Sequence, residues 1–269
     1  MRQFNTLTGA IQSKSSNPAI GESISVTGYD NIFDGGKGDW VFEGVTGQTP
    51  SQSPAQLGGG LFNDKSGNQW VIEKTGTINI RALGAKPLAD STGAIQAAII
   101  AAGKQATELV GTDNRIIFSP VVVDITSGAF LFSDTLTVNK NFVKIQGSGL
   151  GSSVLYRTDG TFGDSVVFTP TVPSATRLIG SSISGVKIDA RVDMTSGAHL
   201  SLVSVSQADF SDIFLENGFV SYHLKGVQNC TFKSTFALVG RYYPTLRAGT
   251  KYLHIEEGDF ENTEVFFTT

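Results

Sequence analysis

Four six-residue segments obey one rule: Ile183-Ser184-Gly185-Val186-Lys187-Ile188, Phe210-Ser211-Asp212-Ile213-Phe214-Leu215, Val227-Gln228-Asn229-Cys230-Thr231-Phe232 and Phe260-Glu261-Asn262-Thr263-Glu264-Val265. Each reads apolar, any residue, small turn residue, mostly apolar, any residue, apolar. Gly, Asp and Asn tolerate the left-handed α conformation that a one-residue corner between two strands requires. The alternation after the corner turns the fourth and sixth residues to one side. The copies start 27, 17 and 33 residues apart. That is too irregular for propeller blades of fixed size, but it suits solenoid coils whose outer loops differ in length. The expected fold is therefore mainly β: a right-handed parallel β-helix.

The chain before these copies fits the same reading. Short strands are expected at Arg115 to Phe118, Val121 to Ile125, Leu136 to Val138 and Phe142 to Ile145, separated by Gly, Asn or Ser turns. The 31 glycines exceed the share of about 7% usual for globular chains, in keeping with frequent corners. One segment breaks the strand pattern. From Thr92, Ile95, Ala98, Ile99, Ala102, Ala106 and Leu109 fall on a 3.6-residue stripe, with Asp90, Ser91 or Thr92 as N-cap and a stop near Gly111. A helix over 92–110, with Gly103 as its weak point, would cap the open end of the first coil. The run Gly147-Ser148-Gly149-Leu150-Gly151 has no helical pattern after it, so it reads as a corner rather than a phosphate-binding loop.

Upstream lies a different texture. Residues 28–75 carry Asp34-Gly35-Gly36 and Gly58-Gly59-Gly60 among the aromatic residues Phe33, Trp40, Phe42, Phe62 and Trp70. That composition predicts a small turn-rich β module held by a few large side chains. Residues 1–27 are polar and interrupted by Pro18 and Gly21, so an extended arm is expected there. The β-helix is expected over 76–269.

Charge and cysteine usage narrow the function classes. A net charge of −4 offers no basic surface for nucleic acid or anionic membrane. No apolar run reaches membrane-spanning length and no secretory signal peptide is apparent, so neither membrane insertion nor export by that route is expected. Cys230 is the single cysteine, which excludes an internal disulfide and a Cys-rich metal site. His199, His223 and His254 lack metal-ligand spacing, and no cofactor or metal is expected.

The segment from Gly67 to Trp70, then Ile78-Asn79-Ile80-Arg81-Ala82-Leu83-Gly84-Ala85-Lys86, then Asp90 to Ile99 resembles the lead-in of phage tailspikes and capsule depolymerases of the pectate-lyase-like superfamily. There an analogous strand, a Phe-Gly-Ala-like turn and an Ala-Ile-Gln-Ala-Ala helix introduce the β-helix. The acidic loop before the helix is reduced here to Lys86-Pro87-Leu88-Ala89-Asp90-Ser91-Thr92. Gly28-Tyr29, Asp34 to Gly38 and Trp40 resemble an adaptor segment common in phage tail proteins. The resemblance implies a virion tail component made in the host cytoplasm. Its implied partners are capsule or lipopolysaccharide O-antigen and other phage tail proteins, with a homotrimer as the assembly. It also implies that the sequence, ending on the apolar run before Thr269, belongs to a longer spike or is covered there by a partner. Two alternatives stand beside a depolymerising spike: a non-catalytic adaptor or scaffold that anchors the spike, and a bacterial pectate-lyase-like enzyme.

Glycosidic cleavage usually employs two carboxylates. The candidates are Asp209, Asp212 and Glu216 around one corner, with Asp189 and Asp193 one coil earlier, and stacking would bring Asp189 and Glu216 onto one face. For each of them a turn or a solvated loop is the competing structural role. The acidic cluster Glu256, Glu257, Asp259, Glu261 and Glu264 reads as a solvated face. Tyr222, His223, Arg241, Tyr242 and Tyr243, with Arg247, are the candidate carbohydrate contacts, offering stacking faces and donors.

Overall fold

A computed structural model describes residues 2–13, 18–31, 34–45, 53–54, 60–73, 76–110, 116–161, 163–172, 176–238, 251–255 and 264–267. The first unit is a five-stranded sheet of β1 (Arg2–Phe4), β2 (Ser23–Val26), β3 (Gly38–Val45), β4 (Leu61–Asn63) and β5 (Asn68–Ile72), in the order β1-β2-β3-β5-β4. Its core is aromatic. Trp40 meets Phe62 edge-on at 5.0 Å between centroids, and Phe62 stacks on Trp70 at 6.2 Å. Asp64 is fully buried and satisfied: its carboxylate accepts the backbone N–H of Ser66 and Asn68, the Asn68 amide and the Trp70 indole N–H.

The extended arm expected over 1–27 is not what its described part forms. Arg2–Phe4 pairs in parallel with β2, and helix α1 (Leu7–Gln12), capped by the Thr6 hydroxyl, buries Leu7, Ala10 and Ile11. Those three residues are an i, i+3, i+4 apolar stripe only one turn long, and it sits among polar neighbours that mask it.

Strand β6 (Thr77–Asn79) leads through a 3₁₀ turn, Ile80–Leu83, to helix α2 (Thr92–Gln105). The expected stripe is in place: Ile95, Ala98, Ile99 and Ala102 are buried over the first coil. Gln96 ties the helix to the backbone of Thr137, accepting its N–H at 2.8 Å and donating to its carbonyl at 2.9 Å. Helix α2 stops at Gln105 rather than near 110, because β7 (Thr107–Val110) pairs antiparallel with β8 (Ile116–Ser119). Gly103 is a close-approach residue, since a Cβ there would lie 2.7 Å from Lys140 Cγ.

The coils follow as β9 (Val121–Ile125), β10 (Gly128–Phe132), β11 (Leu136–Val138), β12 (Val143–Gly147), β13 (Ser153–Arg157), β14 (Val166–Phe168), β15 (Leu178–Ile179), β16 (Ser182–Ala190), β17 (Ala198–Val203), β18 (Val205–Ser206), β19 (Asp209–Glu216), β20 (Val220–Lys225), β21 (Thr231–Leu238), β22 (Lys251–Ile255) and β23 (Glu264–Phe267). They stack as three parallel sheets. The first runs β6-β9-β12-β16-β19-β21-β23, with β10 and β13 joining beside the second half of β16. The second runs β11-β14-β17-β20-β22, and the third pairs β15 with β18. This is the expected mainly β, parallel β-helix architecture. Inward positions stack from coil to coil, as where Phe210 lies flat on Phe232 at 5.0 Å.

Two corners, five residues apart, recur in the coils of β16, β19 and β21. Phe142, Gly180, Gln207 and Asn229 have φ of 61, 66, 53 and 51°, and Gly185, Asp212 and Ser234 have φ of 66, 51 and 51°. This corrects the register of the repeat. Phe210 pairs with Phe232, and Phe232 with Val265, so the copies assigned to Val227 and Phe260 begin five residues early. The Val227 copy belongs to the first corner, bridged at Gln228 to Ser206, and Phe260 lies outside the described residues. Both corners carry the same apolar–turn–apolar signature, so sequence spacing alone confuses them. The Gly147 run is a corner as expected: a Cβ on Gly147 would meet the Gly185 carbonyl oxygen at 2.2 Å, and strand β13 follows.

Asp212 is thus conformational in its backbone. Asp212→Val is expected to cost about 1–2 kcal/mol, the penalty of a left-handed backbone in a residue with a bulky Cβ. Asp212→Asn or Asp212→Gly should leave the urea midpoint within a few tenths of a kcal/mol.

Candidate functional site

Residues Val186, Ile188 and Ala190 of β16 point inward, so Lys187 and Asp189 face out. In β19 the same alternation turns Phe214 and Glu216 to the outer side. The register sets Asp189 beside Glu216, and Tyr156 of β13 beside Asp189. Adjacent coils therefore place two carboxylates on one face, as the stacking argument anticipated.

The pair is clamped. Lys187 Nζ lies 3.0 Å from Asp189 Oδ2 and is hydrogen-bonded to Glu216 Oε2, while Asn217 donates to Asp189 Oδ1 at 2.7 Å. Asp189 and Glu216 are only 7% and 8% exposed. Burial pushes the Lys187 ammonium down, but its hydrogen bonds to Glu216 and Asp189 outweigh this and hold it above the ordinary lysine value. Aromatic rings floor the cluster: Lys187 sits 5.3 Å from the Phe214 centroid, and the exposed Arg191 guanidinium lies 3.9 Å above Tyr156.

Beneath this face runs a buried hydrogen-bond chain. Arg157, an inward residue of β13 with no exposed surface, donates to the carbonyls of Asp159 and Gly163 and to Ser165 Oγ. Burial pulls its pKa down to about 10, against the opposing pull of Asp159 and Asp164. Ser165 Oγ is 3.2 Å from His199 Nδ1, and His199 Nε2 is 2.8 Å from the Glu216 carbonyl oxygen. A carbonyl only accepts, so Nε2 carries the proton and Nδ1 accepts from Ser165. Burial drives the His199 pKa down to about 4, which leaves a neutral ring at neutral pH. Gly218 makes room for it, since a Cβ there would lie 2.5 Å from His199 Cδ2.

The other expected residues are dispersed. Asp209 and Asp212 are exposed but sit at or before the Gly185/Asp212 corner, on a different face from Glu216. Asp193 is exposed in the loop after β16. Tyr222 is corrected as a stacking platform: it points inward, 1% exposed, with its ring edge-on to Phe232 at 6.1 Å. Its partner in the register is the inward residue Leu200, which explains the burial. His223 faces outward, with Nδ1 3.2 Å from Ser201 Oγ. Arg241, Tyr242, Tyr243 and Arg247, and the acidic residues at 256, 257, 259 and 261, lie outside the described residues. Sequence reasoning missed Lys187, Asn217, Tyr156, Arg191, Arg157 and His199. The Lys187-x-Asp189 alternation beside a corner was the available signal for the first. Among the described residues no cluster of His, Cys, Asp and Glu is arranged to hold a metal ion, and no helix is long and apolar enough to cross a membrane.

No family profile and no curated protein sequence matches the chain. Solved structures do. The chain is similar to the tailspike gp42 of Acinetobacter phage vb_AbaP_AS12, with a TM-score of 0.62 and 16% identity over 87% of this chain and 39% of that one. It is also similar to the tailspike gp49 of Acinetobacter baumannii bacteriophage Fri1, a capsular polysaccharide depolymerase, with a TM-score of 0.57 and 11% identity over 98% of this chain and 54% of that one. The chain thus has the fold of these tailspikes and spans between about two-fifths and about half of their lengths.

Proposed function

We propose that the chain is part of a phage tailspike that meets bacterial surface polysaccharide, with the N-terminal module as its attachment to other tail proteins. The observation that carries this is architectural: the likeness to two tailspikes takes in both the aromatic module and the coils. The acidic net charge and the hydroxyl- and amide-bearing outer faces suit a carbohydrate better than a nucleic acid. A homotrimer and a place in the virion tail are part of the same proposal.

Depolymerisation is assigned to the longer spike. Asp189 and Glu216 are the pair to test within this chain, because they share a face, whereas Asp209 and Asp212 lie around the corner from them. Lys187 stands between the two carboxylates, so cleavage here requires its ammonium to swing away; as folded, the trio favours polysaccharide contact. His223, Arg241, Tyr242 and Tyr243 belong to the proposed contact set.

The test sets the 269-residue chain and a longer native form against a panel of purified capsular polysaccharides and O-antigens, with binding, reducing-end release and unsaturated-uronate absorbance as readouts. The expected result is binding by both forms and cleavage by the longer form. Cleavage by the short chain, lost in Asp189→Asn or Glu216→Gln, would move the chemistry into these coils. Absence of binding and cleavage in both forms would overturn the polysaccharide reading.

A further inference from the structure

The outer face of the first sheet carries a second carboxylate position, away from the Lys187 clamp. Asp124 points outward from β9, between the inward residues Val123 and Ile125. The register places Asn79 beside it on one neighbouring strand and Gln146 on the other. Ser184, Ser211 and Lys233 continue the row through β16, β19 and β21. Coils stack at about 4.8 Å, close to the length one pyranose adds to an extended glycan.

Asp124 is half-buried, and among the described residues no hydrogen bond or ion pair reaches its carboxylate. Desolvation holds its carboxyl above the ordinary value. A half-buried carboxylate left this way keeps its acceptor capacity for a ligand or for water. Four other carboxylates are taken up, Asp34 by four backbone N–H groups, Asp64 by its turn, and Asp189 and Glu216 by Lys187, whereas Asp39 in the N-terminal module keeps one buried oxygen without a hydrogen bond among the described residues. Among the side chains described on this part of the face, Asp124 and Asp209 are offset by Lys144 and Lys233, so a strongly charged polymer gains little there.

We propose that Asp124, flanked by the carboxamides of Asn79 and Gln146, forms a hydroxyl-binding subsite for a neutral polysaccharide segment lying along the coil axis. The carboxylate accepts from vicinal sugar hydroxyls, while the Gln146 amide supplies a donor and an acceptor on the adjacent coil. The inference rests on the polysaccharide reading above and deepens it, adding the chemical class of the segment bound and a place for it.

The test measures binding of the full chain to the same purified capsular polysaccharides and O-antigens immobilised on a sensor, neutral and anionic polymers side by side. Asp124→Ala and the exposed Gln146→Ala are expected to weaken binding of a neutral polymer by about tenfold or more, the scale of a lost charge-assisted hydrogen bond. Asp124→Asn is expected to retain part of it, with melting temperatures near wild type. If Asp124→Ala perturbs folding, Gln146→Ala decides. Wild-type binding that neither variant changes would overturn the subsite and leave the polysaccharide reading intact. A wild-type chain that binds no polymer removes that reading and the subsite with it. A change in sedimentation with binding unaltered would make the face a contact between copies of the chain, and would overturn the subsite as well.

Discussion

Lys187→Met is expected to destabilise the chain by about 3 kcal/mol. Removing one partner from a buried ion cluster leaves the others as uncompensated charges, and such losses run at about 3–5 kcal/mol. The lower end applies because the side chains of Lys187, Asp189 and Glu216 keep 18%, 10% and 11% of their exposure. Here two carboxylates lose one ammonium, and Asn217 can neutralise neither. The companion variant Lys187→Met/Asp189→Asn/Glu216→Gln removes every charge and should recover most of the loss, because the groups are coupled rather than additive. Urea midpoints at neutral pH decide the matter: a triple variant as unstable as the single one would show that the loss came from packing over Phe214 and not from charge.

His199 gives the second large effect, and its sign follows from the direction of its shift. The folded protein holds the ring at about 4 while the unfolded chain holds it at 6.5, so the unfolded state binds the extra proton between those values. The stabilisation is fully present above pH 6.5 and is lost as the pH falls to about 4. At about 1.36 kcal/mol per pH unit, the loss is about 3 kcal/mol. The geometry supplies the reason. A second ring proton on Nδ1 would face Ser165 Oγ, which already accepts from Arg157. In urea titrations, His199→Asn should be weaker than wild type at pH 7.5, where Ser165 loses its acceptor, yet should flatten the pH slope across that window. Parallel slopes for the two proteins would mean that carboxylates elsewhere, and not this ring, set the acid sensitivity.

How far the sequence was legible depended on whether the deciding contact was local. The stripe from Ile95 to Ala102 and the aromatic set Trp40, Phe42, Phe62 and Trp70 are written in neighbouring residues, and they pack as read. The two-fold identity of the corners is not local. Asn229 and Ser234 both accept positive φ, and only pairing with the coil before distinguishes them. Helix α2 was cut short by a hairpin partner beyond its own stripe. The same limit governs the site. Asp189 and Glu216 could be placed together because one whole coil separates them, whereas the inward turn of Tyr222 depends on its partner Leu200. Arg157 was illegible as a core residue, because its donors are met by the carbonyls of a loop that its own sequence does not specify.

The constant step of five residues between the two corners has an evolutionary and engineering consequence. From Gly180 to Gly185, Gln207 to Asp212 and Asn229 to Ser234 the backbone follows the same path, while the connections between β13 and β14, between β14 and β15, and between β21 and β22 vary in length. Heredity can lengthen or exchange those outer connections without disturbing the arc that sets the stacking. The fold thus pairs a fixed spine with replaceable decoration. Grafts designed between Phe168 and Leu178 leave both corners in register and spare the loop that satisfies Arg157, whereas a single inserted residue between Gly180 and Gly185 would turn that segment's inward side chains outward.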